Sequence, residues 1–168
     1  KQAWQENAAN STDDPNPGFG THITGGPVYG SAANGFDVNL RGISETSIKF
    51  YDNPAVNWRP VPNTNATLVG NTPFMLFIRG SRGINLNGPT IPPNVTVLRA
   101  KGNLITGDRT FHVAPNGFTA IPNPYQSPIN FATLTRNNVQ NLFYLWDPKL
   151  GGTNGVGGYV TVSWNGSS

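Results

Sequence analysis

The 168-residue chain holds 20 glycines, 15 prolines and 22 asparagines, yet only 11% of its residues are charged, against about 25% in an average soluble domain. Long surface helices and coiled coils, which need Glu, Lys and Arg on their wet faces, are thereby excluded. The net charge of +3 comes from 11 basic and 8 acidic residues scattered along the chain; with no dense basic stripe, nucleic acid is not an expected partner.

Hydrophobic residues make up 36% and include 4 Trp, 5 Tyr and 9 Phe, enough for one complete core in a chain of this length. Absence of cysteine removes disulfides, thiolate nucleophiles and thiolate-held metals together. No apolar run approaches the roughly 18 residues of a membrane span, so membrane insertion is not expected. Because the first residue is Lys1 rather than Met, the chain reads as a processed product or an excerpt of a longer one. No internal repeat or long linker divides it, and residues 1–168 read as one module.

Residues 2–9 have the composition of two helical turns, ended by the turn-rich stretch 10–20. The apolar period then becomes two. Phe36-Asp37-Val38-Asn39-Leu40 and Ile48-Lys49-Phe50 alternate as half-buried strands do. Phe74-Met75-Leu76-Phe77-Ile78 is apolar at every position, which predicts a central strand covered on both faces. Gly80-Ser81-Arg82-Gly83 predicts a tight return into Ile84-Asn85-Leu86. Short strands follow at 95–100, 110–113 and 118–121, separated by Gly102-Asn103, Gly107-Asp108 and Asn116-Gly117, pairs suited to positive φ. Ser127-Pro128 reads as a helix cap and first helical residue, predicting a short helix over 128–138. Residues 142–146 and 159–164 are the last strands. A strand and a turn about every ten residues is the spacing of an all-β, two-layer antiparallel β-sandwich, jelly-roll-like, with one or two short helices.

Residues suited to catalysis are few. His112 alternates with Phe111 and Val113 near Asp108, but no Gly-x-Ser-x-Gly elbow accompanies them. A glycosidase needs two carboxyls at a fixed separation, and the only glutamates are Glu6 and Glu45. The glycines at 80–83 and 151–158 precede strands rather than a helix N-terminus, so they are turns and not phosphate cradles. No enzyme activity and no cofactor are expected. Asp13, Asp14 and Asn16 offer oxygen ligands for calcium without the alternating pattern of a dedicated loop, and an Asx-Pro turn is the simpler reading. Trp58-Arg59 lies in a proline-bounded loop and is the candidate glycan site, with the indole stacking on a sugar and the guanidinium binding its hydroxyls. Arg79, Arg82, Arg99 and Lys101 would form a small basic patch if their strands were neighbours.

The run Gly117-Phe118-Thr119-Ala120-Ile121-Pro122-Asn123-Pro124-Tyr125-Gln126-Ser127-Pro128-Ile129-Asn130-Phe131, with Leu142-Phe143-Tyr144-Leu145-Trp146-Asp147-Pro148 and Gly158-Tyr159-Val160-Thr161-Val162, resembles a module of large Bacteroidota surface proteins. There it lies before the C-terminal sorting domain of the type IX secretion system. Pro17 to Ile23, Pro73 to Gly80 and Leu104 to Asp108 fit the same pattern, so the resemblance spans nearly the whole chain. It implies an extracellular or cell-surface location and further strands before Lys1 and after Trp164. It carries no catalytic residues. Asn123, Pro124, Tyr125, Ser127, Pro128 and Trp146 would then specify fold: Asn123 and Pro124 set a corner, Tyr125 and Trp146 fill the core, and Ser127-Pro128 starts the helix.

The apolar last strand, followed by the turn pair Asn165-Gly166, predicts a partner strand from beyond residue 168 or from another chain, since an exposed apolar edge invites pairing. The expected function is a noncatalytic extracellular structural or adhesive module of a cell-surface or filament-forming protein. It would assemble by strand complementation with other subunits or with the rest of its own chain. The alternative is a carbohydrate-binding module, with surface polysaccharide as the partner.

Overall fold

The computed structural model describes residues 2–6, 18–25, 34–37, 46–68, 72–86, 94–100, 102–151 and 157–163. They fall into two compact units, Lys1–Gln126 and Ser127–Ser168. Strand dominates over helix, and both sheets are antiparallel, in agreement with the all-β expectation.

In the first unit, β1 (Ile48–Asp52) lies between β2 (Asn57–Pro60) and β3 (Phe74–Leu76). The β1–β2 turn is closed locally: Val56 N donates to Asn53 O (3.2 Å) and Ala55 N to Asp52 Oδ1 (3.3 Å). Alternation then sorts the side chains. Ile48 and Phe50 face the same side as their β3 partners Leu76 and Phe74, and these four pack with Ile23, Phe36, Val61 and Trp4 into the core. Lys49, Tyr51, Trp58 and Met75 occupy the other face. Two isolated parallel bridges, Phe19 with Val97 and Thr24 with Asp37, tie distant segments to one another outside this sheet.

The apolar run 74–78 is not a central strand. β1 is central, β3 is an edge, and Phe77 and Ile78 beyond it are 59% and 46% exposed. Continuous hydrophobicity here marks an open margin rather than burial on two sides. The expected hairpin through Gly80–Gly83 is also absent. Gly80 sits at φ 130, Asn94 Oδ1 accepts from Ser81 N (2.6 Å), and Ile84 N closes a turn on Ser81 O (3.1 Å). With these donors taken by Asn94 and by the turn, residues 84–86 make no ladder with β3.

The segments 95–100, 110–113 and 118–121 run without regular pairing beyond the Val97 bridge. Side chains do part of the work of a ladder. The Asn53 carboxamide accepts from Ala120 N (2.8 Å) and donates to Ala120 O (3.2 Å), and Thr119 Oγ1 accepts from Ala114 N (2.8 Å). At the amino end, Gln2–Gln5 form one 3-10 turn. Residues 7–9 of the expected helix lie outside the described residues, as do 38–40 and Trp164 of two expected strands.

In the second unit, β4 (Leu142–Asp147) and β5 (Gly158–Ser163) pair over six positions, from Leu142 with Ser163 to Asp147 with Gly158. The expected helix over 128–138 is a single 3-10 turn, Phe131–Thr133, capped by Asn130 rather than by Ser127. Asn130 Oδ1 accepts from Ala132 N (3.0 Å), Thr133 Oγ1 donates to Asn130 O (2.9 Å), and Asn138 has φ 57. These short side chains draw the backbone out of helix. The turn is held by Phe131 stacked on Phe143, 4.2 Å between ring centroids.

Trp146 does not fill a core: it is 41% exposed, with its ring at right angles to Tyr159 and seated over Gly157. Gly157 has φ 82, and a Cβ there would lie 2.6 Å from Trp146 Cε2 and 2.8 Å from Nε1. Gly157→Ala is therefore expected to cost about 2 kcal/mol from backbone strain and overlap. Urea unfolding followed by near-ultraviolet circular dichroism of the Trp146–Tyr159 pair measures it.

Candidate functional site

The most organised polar centre lies beneath the first sheet. Asp37 is buried, and its carboxylate accepts from four donors. Ile23 N (2.9 Å) and Gln5 Nε2 (3.1 Å) reach Oδ2, while Arg82 Nε (3.2 Å) and Nη2 (2.5 Å) reach Oδ1. Arg82 Nη1 also donates to Gln5 O. His22, equally buried, donates from Nε2 to Ile84 O (2.8 Å), because a carbonyl can only accept. Its Nδ1 is 3.6 Å from Asp37 Oδ2, too far for a hydrogen bond, and has no other partner.

Burial raises the Asp37 pKa. The approach of His22, the Arg82 hydrogen bonds and charge, and the Gln5 amide overcome it and hold the carboxyl at about 2, against an ordinary 3.8. The folded pKa is depressed, so this stabilisation is complete above 3.8 and is lost as pH falls through about 2. Acid titration of unfolding free energy should show a loss of about 2 kcal/mol across that window, absent in Asp37→Asn.

This centre joins residues far apart in sequence, and the sequence reading missed it. Asp37 occupied a polar position of an alternating run, the ordinary signature of a surface, and His22 lay in the polar stretch Gly20-Thr21-His22-Ile23-Thr24 with no spacing signal. The centre is sealed: His22, Asp37 and the neighbouring Thr21 are all buried. The centre thus sets an imidazole bound to a main-chain carbonyl beside a carboxylate that accepts from four donors.

The residues singled out from sequence are placed as follows. Trp58 and Arg59 stand in β2, not in a loop, and adjacent strand positions point to opposite faces. Trp58 packs edge-on against Tyr51, with 5.1 Å between ring centroids. Arg59, 54% exposed, pairs with Asp52 at 2.5 Å on the other side. The structure does not bring indole and guanidinium to one sugar-binding face.

Asn123 Oδ1 accepts from Tyr125 N (3.0 Å), closing the Asn-Pro corner, and the Tyr125 hydroxyl donates to Gly107 O (2.7 Å). Ser127 and Pro128 are exposed, three and two residues before the actual cap. His112 and Asp108 are both exposed. Among the described arginines, Arg82 binds Asp37, Arg99 binds Glu6 and lies over Phe19, and Arg79 lies over Phe77. Lys101, Glu45, Asp13, Asp14 and Asn16 lie outside the described residues. Among the described residues no cluster of three His, Cys, Asp or Glu side chains suits a metal, and no helix is long and apolar enough to cross a membrane.

Two sheet margins remain. β4 and β5 pair only with each other among the described residues. The face carrying Leu142, Tyr144, Trp146, Tyr159, Thr161 and Ser163 is exposed throughout and bears no charge. On the first unit, β3 is an edge beside an open groove of about 460 Å³ lined by Leu68, Phe74, Ile105, Ile121, Pro122 and Pro124 among others.

No family model, curated protein or solved structure matches this chain.

Proposed function

We propose that the chain is a noncatalytic structural or adhesive module of a secreted, cell-surface Bacteroidota protein, with its strands arranged as a two-layer antiparallel sandwich of jelly-roll type. It assembles by strand complementation: a neighbouring subunit completes a sheet through main-chain hydrogen bonds and apolar contacts. The observation that carries this reading is the β4–β5 pair. Two strands alone are at best marginally stable in water, yet this pair holds exposed Leu142, Tyr144, Leu145, Trp146 and Tyr159. Such a ribbon gains most from an added strand or covering layer.

The scarcity of charge favours the same outcome, because little ionic desolvation opposes contact between subunits. The exported location rests on the resemblance of residues 117–131, 142–148 and 158–162 to the surface-protein module. Electron microscopy of the protein on its producing cells tests the proposal. Filaments or surface-bound stalks are expected; isolated, unattached particles would refute it.

Carbohydrate binding through Trp58 and Arg59 is the competing reading, and their opposite orientation weakens it. Polysaccharide pull-down with the wild type and Trp58→Ala is expected to give equal, background retention. Specific retention lost in the variant would replace the structural reading.

A further inference from the structure

The β3 edge shows where an added strand would enter. Tyr51 N donates to Pro73 O (3.0 Å) and Phe77 N to Ser47 O (2.7 Å), while Met75 pairs with Lys49 between them. Pro73, Met75 and Phe77 therefore turn their main-chain polar groups toward β1. In an antiparallel ladder the intervening residues turn theirs the other way, so Phe74 and Leu76 direct N–H and C=O outward, and Ile78 continues the series. Among the described residues no strand pairs with that margin.

Beside it lies the groove bounded by Phe74, Leu68, Ile105, Ile121, Pro122 and Pro124, and no ionisable side chain lines it. At the far end of the edge stands Arg79. It is half-buried, its Nη1 donates to Thr24 Oγ1 (3.4 Å), and its guanidinium lies 4.8 Å from the centre of the Phe77 ring. No carboxylate among the described residues neutralises it, and burial lowers its pKa.

Three features thus coincide: outward main-chain donors and acceptors two residues apart, a trough without charge lined by Thr72 and Asn123 as well as apolar side chains, and a cation at one end for which the described residues supply no counter-ion. A saccharide or small apolar ligand matches the second at best. An extended peptide matches all three, with its backbone completing the ladder, alternate apolar side chains entering the trough and a carboxylate meeting Arg79.

We propose that the β3 edge, its groove and Arg79 form an acceptor site for an extended strand of another polypeptide, one that alternates apolar residues and carries an acidic residue opposite Arg79. This deepens the assembly reading above and rests on it for biological purpose, but the binding itself can be tested separately.

The probe is a fluorescein-labelled peptide of about ten residues, alternating Val and Thr with one terminal Asp, titrated by fluorescence anisotropy against the full 168-residue chain. Saturable binding is expected, weakened about tenfold or more when alternate peptide amides are N-methylated, since each removes a ladder donor without touching the protein. Arg79→Glu should weaken the Asp peptide about tenfold and tighten a version carrying Lys in its place. Circular dichroism checks that the variant is folded, and the N-methylated arm decides the matter if it is not. Absence of saturable binding, or equal affinity for the N-methylated peptide, overturns the acceptor site. If the peptide does not bind while filaments or stalks are present on cells, this site alone is wrong. If it binds while cells show only isolated particles, the acceptor site stands and the assembly function falls.

Discussion

Asp37→Ala is expected to destabilise the first unit by about 3–5 kcal/mol, the cost of leaving a buried charge without its partner. The loss is distributed over named groups. Arg82 keeps its bond to Gln5 O but loses both contacts to the carboxylate, Ile23 N loses its acceptor inside the core, and the Gln5 amide retains Gly35 O alone. Asp37→Asn, which keeps the size and one acceptor oxygen, should fall between the wild type and Asp37→Ala. Guanidinium unfolding monitored by tryptophan fluorescence measures the series, with Trp4 reporting from the core edge. A loss below about 1 kcal/mol in Asp37→Ala would show the network to be incidental.

Ile48→Ala should cost about 3 kcal/mol, within the 2–5 typical of large-to-small changes in a close-packed core. Ile48 is fully buried on the central strand, between Val61 and the β3 partner Leu76, so little around it can relax into the cavity. Ile48→Val should cost about 1 kcal/mol. Ile78→Ala, at an exposed position past the edge, should change stability by less than about 0.5 kcal/mol. Ile48 sits in an alternating run and Ile78 in a continuously apolar one, so the more hydrophobic sequence is the less buried, and urea midpoints would separate the two.

That contrast explains what the sequence conveyed. Alternation located β1 because side-chain period is a local property that survives whatever the tertiary partner is, and the apolar runs 142–146 and 159–164 marked β4 and β5. It could not rank strands within a sheet. Phe74–Ile78 read as central because a strand buried on two faces and an apolar edge strand have the same composition. The helix over 128–138 failed through competition that only geometry resolves: Asn130 and Thr133 satisfy the backbone locally before a second turn can form. The Asn123-Pro124-Tyr125 corner was legible because an Asx turn needs only neighbours. The Gln5–His22–Asp37–Arg82 centre was not, since its members are up to 77 residues apart and no spacing rule connects them. The Trp58-Arg59 pair illustrates the converse error, because adjacency in sequence is what sends two strand residues to opposite faces.

The exposed margins follow from the same chemistry. Side-chain carboxamides and hydroxyls from Asn53, Asn94 and Thr119 hold the extended segments of the first unit in place of a continuous ladder. Such a framework fixes loops without using up the hydrogen bonds of the strand edges, and among the described residues no further strand pairs with β3 or with the β4–β5 ribbon.

Amide hydrogen exchange, compared between the dispersed protein and its assembled form on cells, tests most directly whether these edges are joined by added strands. The account predicts that the outward amides of Phe74 and Leu76, or those along the margins of β4 and β5, become strongly protected on assembly while the amides of β1 stay as they were. Assemblies in which all of those edge amides exchange as fast as in the dispersed protein would contradict it.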